Sequence, residues 1–124
     1  MTVFTLLISL LVCHFLADFC LTTSQMIEAK ATGKHLQHIV LHAAVHAVMM
    51  GVVLLVFGVS SAVVVWLFAF ELITHLAIDY GKGFLGRKFM ALGDNTTKPF
   101  WVLYGFDQLL HLMVVVAIVY FALS

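Results

Sequence analysis

The chain has 124 residues, 64% hydrophobic and only 10% charged, with a mean hydropathy of +1.14. Soluble domains carry roughly a quarter charged residues, so this composition excludes an ordinary water-soluble globule. Six basic and six acidic side chains cancel to a formal net charge of zero, which excludes a basic nucleic-acid surface and an acidic tail. The expectation is one all-α domain over residues 1–124, an integral membrane four-helix bundle in a lipid bilayer.

In chain order, apolar stretches near the length of about 20 residues that a helix needs to cross a bilayer run over 3–22, 36–58, 61–80 and 99–123. The first carries Cys13 and Cys20 two turns apart on one helical stripe, too far for a disulfide, so they read as packing residues. It lacks the basic start of a secretory signal, since no Lys or Arg precedes Lys30, and it holds His14 and Asp18 within its apolar run. It therefore reads as a retained helix. Between the second and third stretches stand only Gly58, Val59, Ser60 and Ser61, which demands a tight antiparallel pair. Pro99 suits the first turn of the fourth helix, with Asn95, Thr96 and Thr97 as candidate caps.

Every basic residue falls in two loops: Lys30 and Lys34 in the first, Lys82, Arg87, Lys88 and Lys98 in the second. Excess Lys and Arg mark cytoplasmic loops, so both loops are expected inside and both termini outside. Phe84, Leu85, Phe89, Met90 and Leu92 surround Arg87 and Lys88, as in a segment lying in the membrane interface. Trp101 and Tyr80 suit an aromatic belt on that same side.

Within the spans remain four carboxylates, Asp18, Glu71, Asp79 and Asp107, and six of the seven histidines, His14, His38, His42, His46, His75 and His111. No Lys or Arg lies within the spans to pair with the acids. Intramembrane carboxylates cost at least a few kcal/mol and are retained for function. The spacing is i, i+4 for His14/Asp18, His38/His42, His42/His46, Glu71/His75, His75/Asp79 and Asp107/His111, which gives every helix one polar stripe. Four such stripes converging in a bundle form the kind of interior that holds metal ions. A single intramembrane histidine reads as a helix–helix hydrogen bond; it is the number in register that points to metal, ahead of a proton-conducting His/Asp chain. Haem would leave the acids unexplained.

The pattern His-x-x-x-Asp-aromatic occurs twice, at His14–Phe19 and His75–Tyr80, each followed by a basic loop and a helix carrying His42/His46 or Asp107/His111. Halves 1–58 and 61–124 are thus expected to be pseudo-symmetric two-helix repeats, each offering ligands, with one or two divalent ions. Imidazole with carboxylate suits Zn²⁺ first, then Fe²⁺ or Mn²⁺.

The segments HFLADFCL (14–21) with Met26 and Lys30, HIVLH (38–42), THLAIDYGK (74–82) and FDQLLH (106–111) resemble a family of small bacterial and phage membrane proteins catalogued as domain of unknown function 3307. The resemblance covers nearly the whole chain. It implies that these polar residues are a family signature and that the membrane is the bacterial inner membrane, and it implies no activity. The family pattern has Gln at the position of Thr22. It favours His38 with His42, whereas the internal repeat favours His42 with His46.

Two functional classes fit this pattern best. In the first, a metal-dependent membrane hydrolase, His14, His42, His75 and His111 are ligands, with Asp18, Asp79 and Asp107 as ligands or bridges. Glu71, which has Leu10 as its counterpart in the first half, is the candidate general base. Lys82, Arg87 and Lys88 are placed to receive a lipid phosphate, so the substrate is lipid-like or a phosphoester and enters from the inner leaflet. The second class is a divalent-metal or proton-coupled transporter, which with four helices would need a homodimer. The outer halves of the spans carry no ionisable group beyond Tyr120, which favours a one-sided site. A metal-stabilised subunit of a membrane complex is the third reading.

Overall fold

The computed structural model describes residues 2–124. Its elements are α1 (Val3–Phe15), a π-helical turn (Leu16–Cys20) continuing it, α2 (Ser24–Thr32), α3 (Leu36–Val56), α4 (Ser61–Lys88), α5 (Met90–Gly93) and α6 (Lys98–Leu123). Among the described residues there is no strand. Four of these helical segments, 3–20, 36–56, 61–88 and 98–123, are long and apolar enough to cross a membrane.

The surface has the polarity of a membrane bundle. Phe4, Val12, Val65, Trp66 and Ile73 are more than half exposed on the outside, while His14, His42, Glu71, His75, Asp79 and Asp107 are buried within. Along the half of the bundle away from the basic loops, Leu6, Leu10, Met50, Leu54, Leu67 and Ile118 close a continuous apolar core, each at most 5% exposed.

Local chemistry explains the ends. Gly58, at φ +80°, turns α3 into α4 while the Val59 N–H donates to the Leu54 carbonyl, as the short 57–60 link requires. Thr97 caps α6, accepting from the Phe100 N–H, with Pro99 in the first turn as expected. Asp94 Oδ1 accepts from the Thr96 hydroxyl (2.7 Å) and N–H (2.9 Å), and these two bonds, the hydroxyl's first, hold its carboxyl below the usual carboxylate range.

Two expectations are corrected here. The third long helix does not end at Tyr80: α4 continues to Lys88, so Lys82, Arg87 and Lys88 stand on helix, not loop. At 1.5 Å per residue its 28 residues reach about 42 Å, well beyond a hydrocarbon core of about 30 Å. The first basic loop also contains a helix of its own, α2. Thr23 caps its start by accepting from the Met26 N–H (3.2 Å), and left-handed Gly33 ends it. Helix α2 lies against α3 and α4, tied down by Arg87, whose guanidinium donates to the carbonyls of Lys30 and Ala31.

Candidate metal centre

The regular α-helix of the first apolar segment breaks at the turn that carries Asp18. Over residues 16–20 the backbone is π-helical, the Leu21 N–H reaching back to the Leu16 carbonyl at 2.9 Å. A π-turn inserts one residue per turn and re-aims the side chains beyond it, and such turns recur at functional sites. Here it carries Asp18 into the bundle. Asp18 Oδ1 stands 3.2 Å from both His42 Nε2 and His46 Nε2 of α3, and Oδ2 stands 3.3 Å from His14 Nε2. The Thr22 hydroxyl at the end of this turn is buried without a partner among the described residues.

Helix α4 supplies the centre of the cluster. The His75 ring lies 3.8 Å from that of His46, 4.3 Å from His111 and 5.2 Å from His42, centroid to centroid. Its Nδ1 is 3.2 Å from Glu71 Oε1 and its Nε2 is 3.5 Å from Asp79 Oδ2. On α6, His111 Nδ1 donates to its own helix at the Asp107 carbonyl (2.9 Å), which fixes the tautomer and leaves Nε2 as the lone-pair nitrogen, 3.8 Å from Asp79 Oδ1.

Two groups of side chains bring ligand atoms within 4.8 Å of one another and could hold a metal ion: Asp18, His42, His46 and His75, and His75, Asp79 and His111. Ligands about 2.0–2.1 Å from a tetrahedral zinc lie roughly 3.3–3.4 Å apart. The two 3.2 Å separations around Asp18 Oδ1 are already near that spacing. A neutral imidazole has one free lone pair, so His75 serves one group at a time.

Contacts too short to ignore are nevertheless poorly aligned as hydrogen bonds. The Nε2 atoms of His14, His46 and His75 lie 3.2 to 3.5 Å from carboxylate oxygens, yet they and His111 Nε2 have no hydrogen-bond partner among the described residues. Buried polar atoms are nearly always satisfied by protein, water or an ion. Of these four nitrogens, those of His46 and His75 fall in the first group and those of His75 and His111 in the second, so each group keeps two donor atoms with no protein partner among the described residues.

The structure corrects the expectation that no basic side chain reaches the acids. Lys30 Nζ, delivered by α2, lies 3.1 Å from Asp79 Oδ2 and 3.1 Å from His42 Nε2. Lys82 Nζ lies 2.7 Å from Asp107 Oδ2. Long side chains reach into the bundle from its basic end, so counting charges by span misplaced them. Asp107 is consequently an ion-pair partner, 3.8 Å from His111 Nδ1, and lies outside both ligand groups. His14 is also outside them, although its ring touches the cluster, 4.8 Å from that of His46.

Two further placements bear on the candidate residues. His38 is half-buried and turns towards His35 (6.2 Å between ring centroids), because it sits a full turn nearer the basic end than His42. It is His46 that joins His42. Glu71 lies behind His75, its Oε1 3.2 Å from Nδ1 and its Oε2 buried without a partner among the described residues, beside a cavity of about 10 Å³ that His14 and His46 also line. Sequence reasoning overlooked Gln108, whose amide donates to Asp18 Oδ2 and Asp107 Oδ2 (both 3.3 Å). Its place beside Asp107 in FDQLLH was the available signal.

This is a bundle with four helices long and apolar enough to cross a membrane, built around a buried histidine–carboxylate cluster. The chain belongs to the family described as Protein of unknown function (DUF3307), whose model matches residues 6–124. No curated protein matches it. No solved structure matches it either.

Proposed function

We propose that the chain is a membrane-embedded, metal-dependent hydrolase holding one divalent cation, zinc by preference, between Asp18, His42, His46 and His75. The observation that carries this reading is that Asp18, His42, His46 and His75 each bring a ligand atom within 4.8 Å of the others, the Nε2 atoms of His46 and His75 having no hydrogen-bond partner among the described residues. Charge supports the count of one. Asp18, Glu71, Asp79 and Asp107 bring four negative charges, and Lys30 and Lys82 return two; with neutral histidines, one divalent ion balances the remaining two.

A divalent ion there supplies Lewis acidity towards an ester or phosphoester oxygen. The chain's own residues divide the remaining work. Glu71 orients His75 by accepting from Nδ1, the role carboxylates commonly play behind a metal-binding histidine, and it is a positioning residue rather than the base. Asp79, at the boundary between the cluster and Lys30, is the carboxylate placed to accept a proton from the nucleophile. Gln108 and Lys82 hold Asp18 and Asp107 in place.

The basic end, with Lys30, Lys82, Arg87, Lys88 and Lys98, faces the cytoplasm of a bacterial cell and both termini face out, as the distribution of Lys and Arg argues. The single domain is a pair of repeats, 1–58 and 61–124, a reading supported by Asp18 meeting His42 and His46 of the next long helix, α3, and Asp79 likewise meeting His111 of α6. The apolar core filling the other half of the bundle favours this one-sided site over a transport path.

The test uses chelator-treated protein in nanodiscs with a phosphatidic-acid substrate and follows phosphate release as zinc, manganese or iron is restored. Metal-dependent turnover abolished by Asp79→Asn is expected. Tight metal binding without turnover on ester or phosphoester lipids would overturn the hydrolase assignment and leave a structural metal site.

A further inference from the structure

Beside the cluster, towards the basic end, lies a cavity of about 360 Å³ enclosed by α2, the far end of α4, α5 and α6. Three cations line it, Lys30, Lys82 and Arg87, together with Tyr104. Its walls close because of glycine. A Cβ on Gly83 would strike the Lys30 carbonyl, and one on Gly93 would come within 2.5 Å of the Gly86 carbonyl, so α2 and α5 pack directly on α4.

The cations are differently engaged. Lys30 and Lys82 each reach past the cavity to a carboxylate of the cluster. Among the described residues, Arg87 has main-chain carbonyl partners and the face of Tyr80, its guanidinium carbon 5.6 Å from the ring centroid. Its bidentate fork matches phosphate geometry.

The cavity does not stand alone. It meets two apolar grooves at Leu103: one of about 460 Å³ running along Pro99, Val102 and Phe106, the other of about 420 Å³ along Ile78, Leu85 and Leu110. A basic chamber from which two apolar grooves diverge has the shape of a two-tailed lipid with an anionic head.

From this geometry we infer that the cavity binds a phosphate-bearing, two-chain lipid, its phosphate among Lys30, Lys82 and Arg87 and its chains in the grooves that meet at Leu103. The inference rests on the proposed metal site in one respect. A phosphate that draws Lys30 and Lys82 away from Asp79 and Asp107 leaves the cluster more negative, so lipid and cation binding reinforce one another, and by linkage each strengthens the other equally.

The experiment is native mass spectrometry of the full chain with phosphatidic acid, phosphatidylcholine or inorganic phosphate as probe, combined with zinc titration in each condition. Retention of phosphatidic acid over phosphatidylcholine is expected. Arg87→Ala should weaken it roughly tenfold, the scale of one charge-assisted contact. Leu103→Trp should weaken lipid retention while leaving inorganic phosphate binding unchanged. Zinc should bind roughly tenfold tighter with phosphatidic acid present than with phosphatidylcholine. Equal retention of the two lipids, with zinc bound, would overturn the pocket and leave the metal site standing. Full displacement by inorganic phosphate, insensitive to Leu103→Trp, would overturn the lipid in favour of a free anion. Discrimination between lipids with no zinc bound would uphold the pocket while removing the metal reading and the coupling.

Discussion

Lys30 offers the sharpest single perturbation of the metal account. Its ammonium lies 3.1 Å from both His42 Nε2 and Asp79 Oδ2, so a cation bonded to that imidazole would stand on the order of 4 Å from it. Two unit charges 4 Å apart interact by about 4 kcal/mol at an effective dielectric of about 20, and the figure would double for a divalent ion. The Lys30 side chain is 18% exposed, and solvent screening together with the neighbouring Asp79 carboxylate leaves a fraction of that repulsion in the bound state. Lys30→Met should therefore tighten zinc binding by roughly 1.5–2 kcal/mol, or 10- to 30-fold. The same substitution strips Asp79 of its partner and should lower the melting temperature of the metal-free protein, so added zinc should raise that temperature further in the variant than in the native chain. Zinc affinity measured by chelator competition in detergent checks the first effect and scanning fluorimetry the second. Unchanged or weaker zinc binding in Lys30→Met would refute the placement of a cation at this point.

The same geometry has other consequences. His46→Ala should lose zinc by about 100-fold or more while His38→Ala retains it, read by the same chelator competition, because of these two histidines it is His46 that faces Asp18. Glu71→Ala should weaken zinc binding about 10- to 100-fold, and Glu71→Gln much less, since the amide oxygen still accepts from His75 Nδ1. Leu67→Ala, in the apolar core of the opposite half, should cost roughly 1–3 kcal/mol in an unfolding assay, mainly lost packing contacts, and leave metal stoichiometry unchanged.

Much of the architecture was legible because membrane helices announce themselves by length and composition. The four spans, the tight turn at Gly58 and the cap at Thr97 all arise from local chemistry. The polar stripes also converged, because i, i+4 spacing places partners on one helix face. The features that escaped have identifiable causes. The π-turn around Asp18 leaves no mark in a sequence pattern built on 3.6 residues per turn. Helix α2 is short and amphipathic at best, and its role depends on where Lys30 reaches, which is a matter of side-chain length and tertiary placement. Met26 and Lys30 stood among the family's matching residues, and this was a usable sign that the first loop is more than a tether. The contact of Glu71 with His75 Nδ1 was legible in their i, i+4 spacing, but not which of the two ring nitrogens it would meet. His38 and His46 could not be separated by spacing, since both lie one turn from His42.

The most direct test of the central claim is elemental mass spectrometry of protein purified without chelator, compared with Asp18→Asn and His75→Ala. One equivalent of zinc, iron or manganese per chain, lost in both variants, is the predicted result. A native chain free of divalent metal, and unable to take it up on titration, would contradict the account and leave a protonated histidine–carboxylate network in its place.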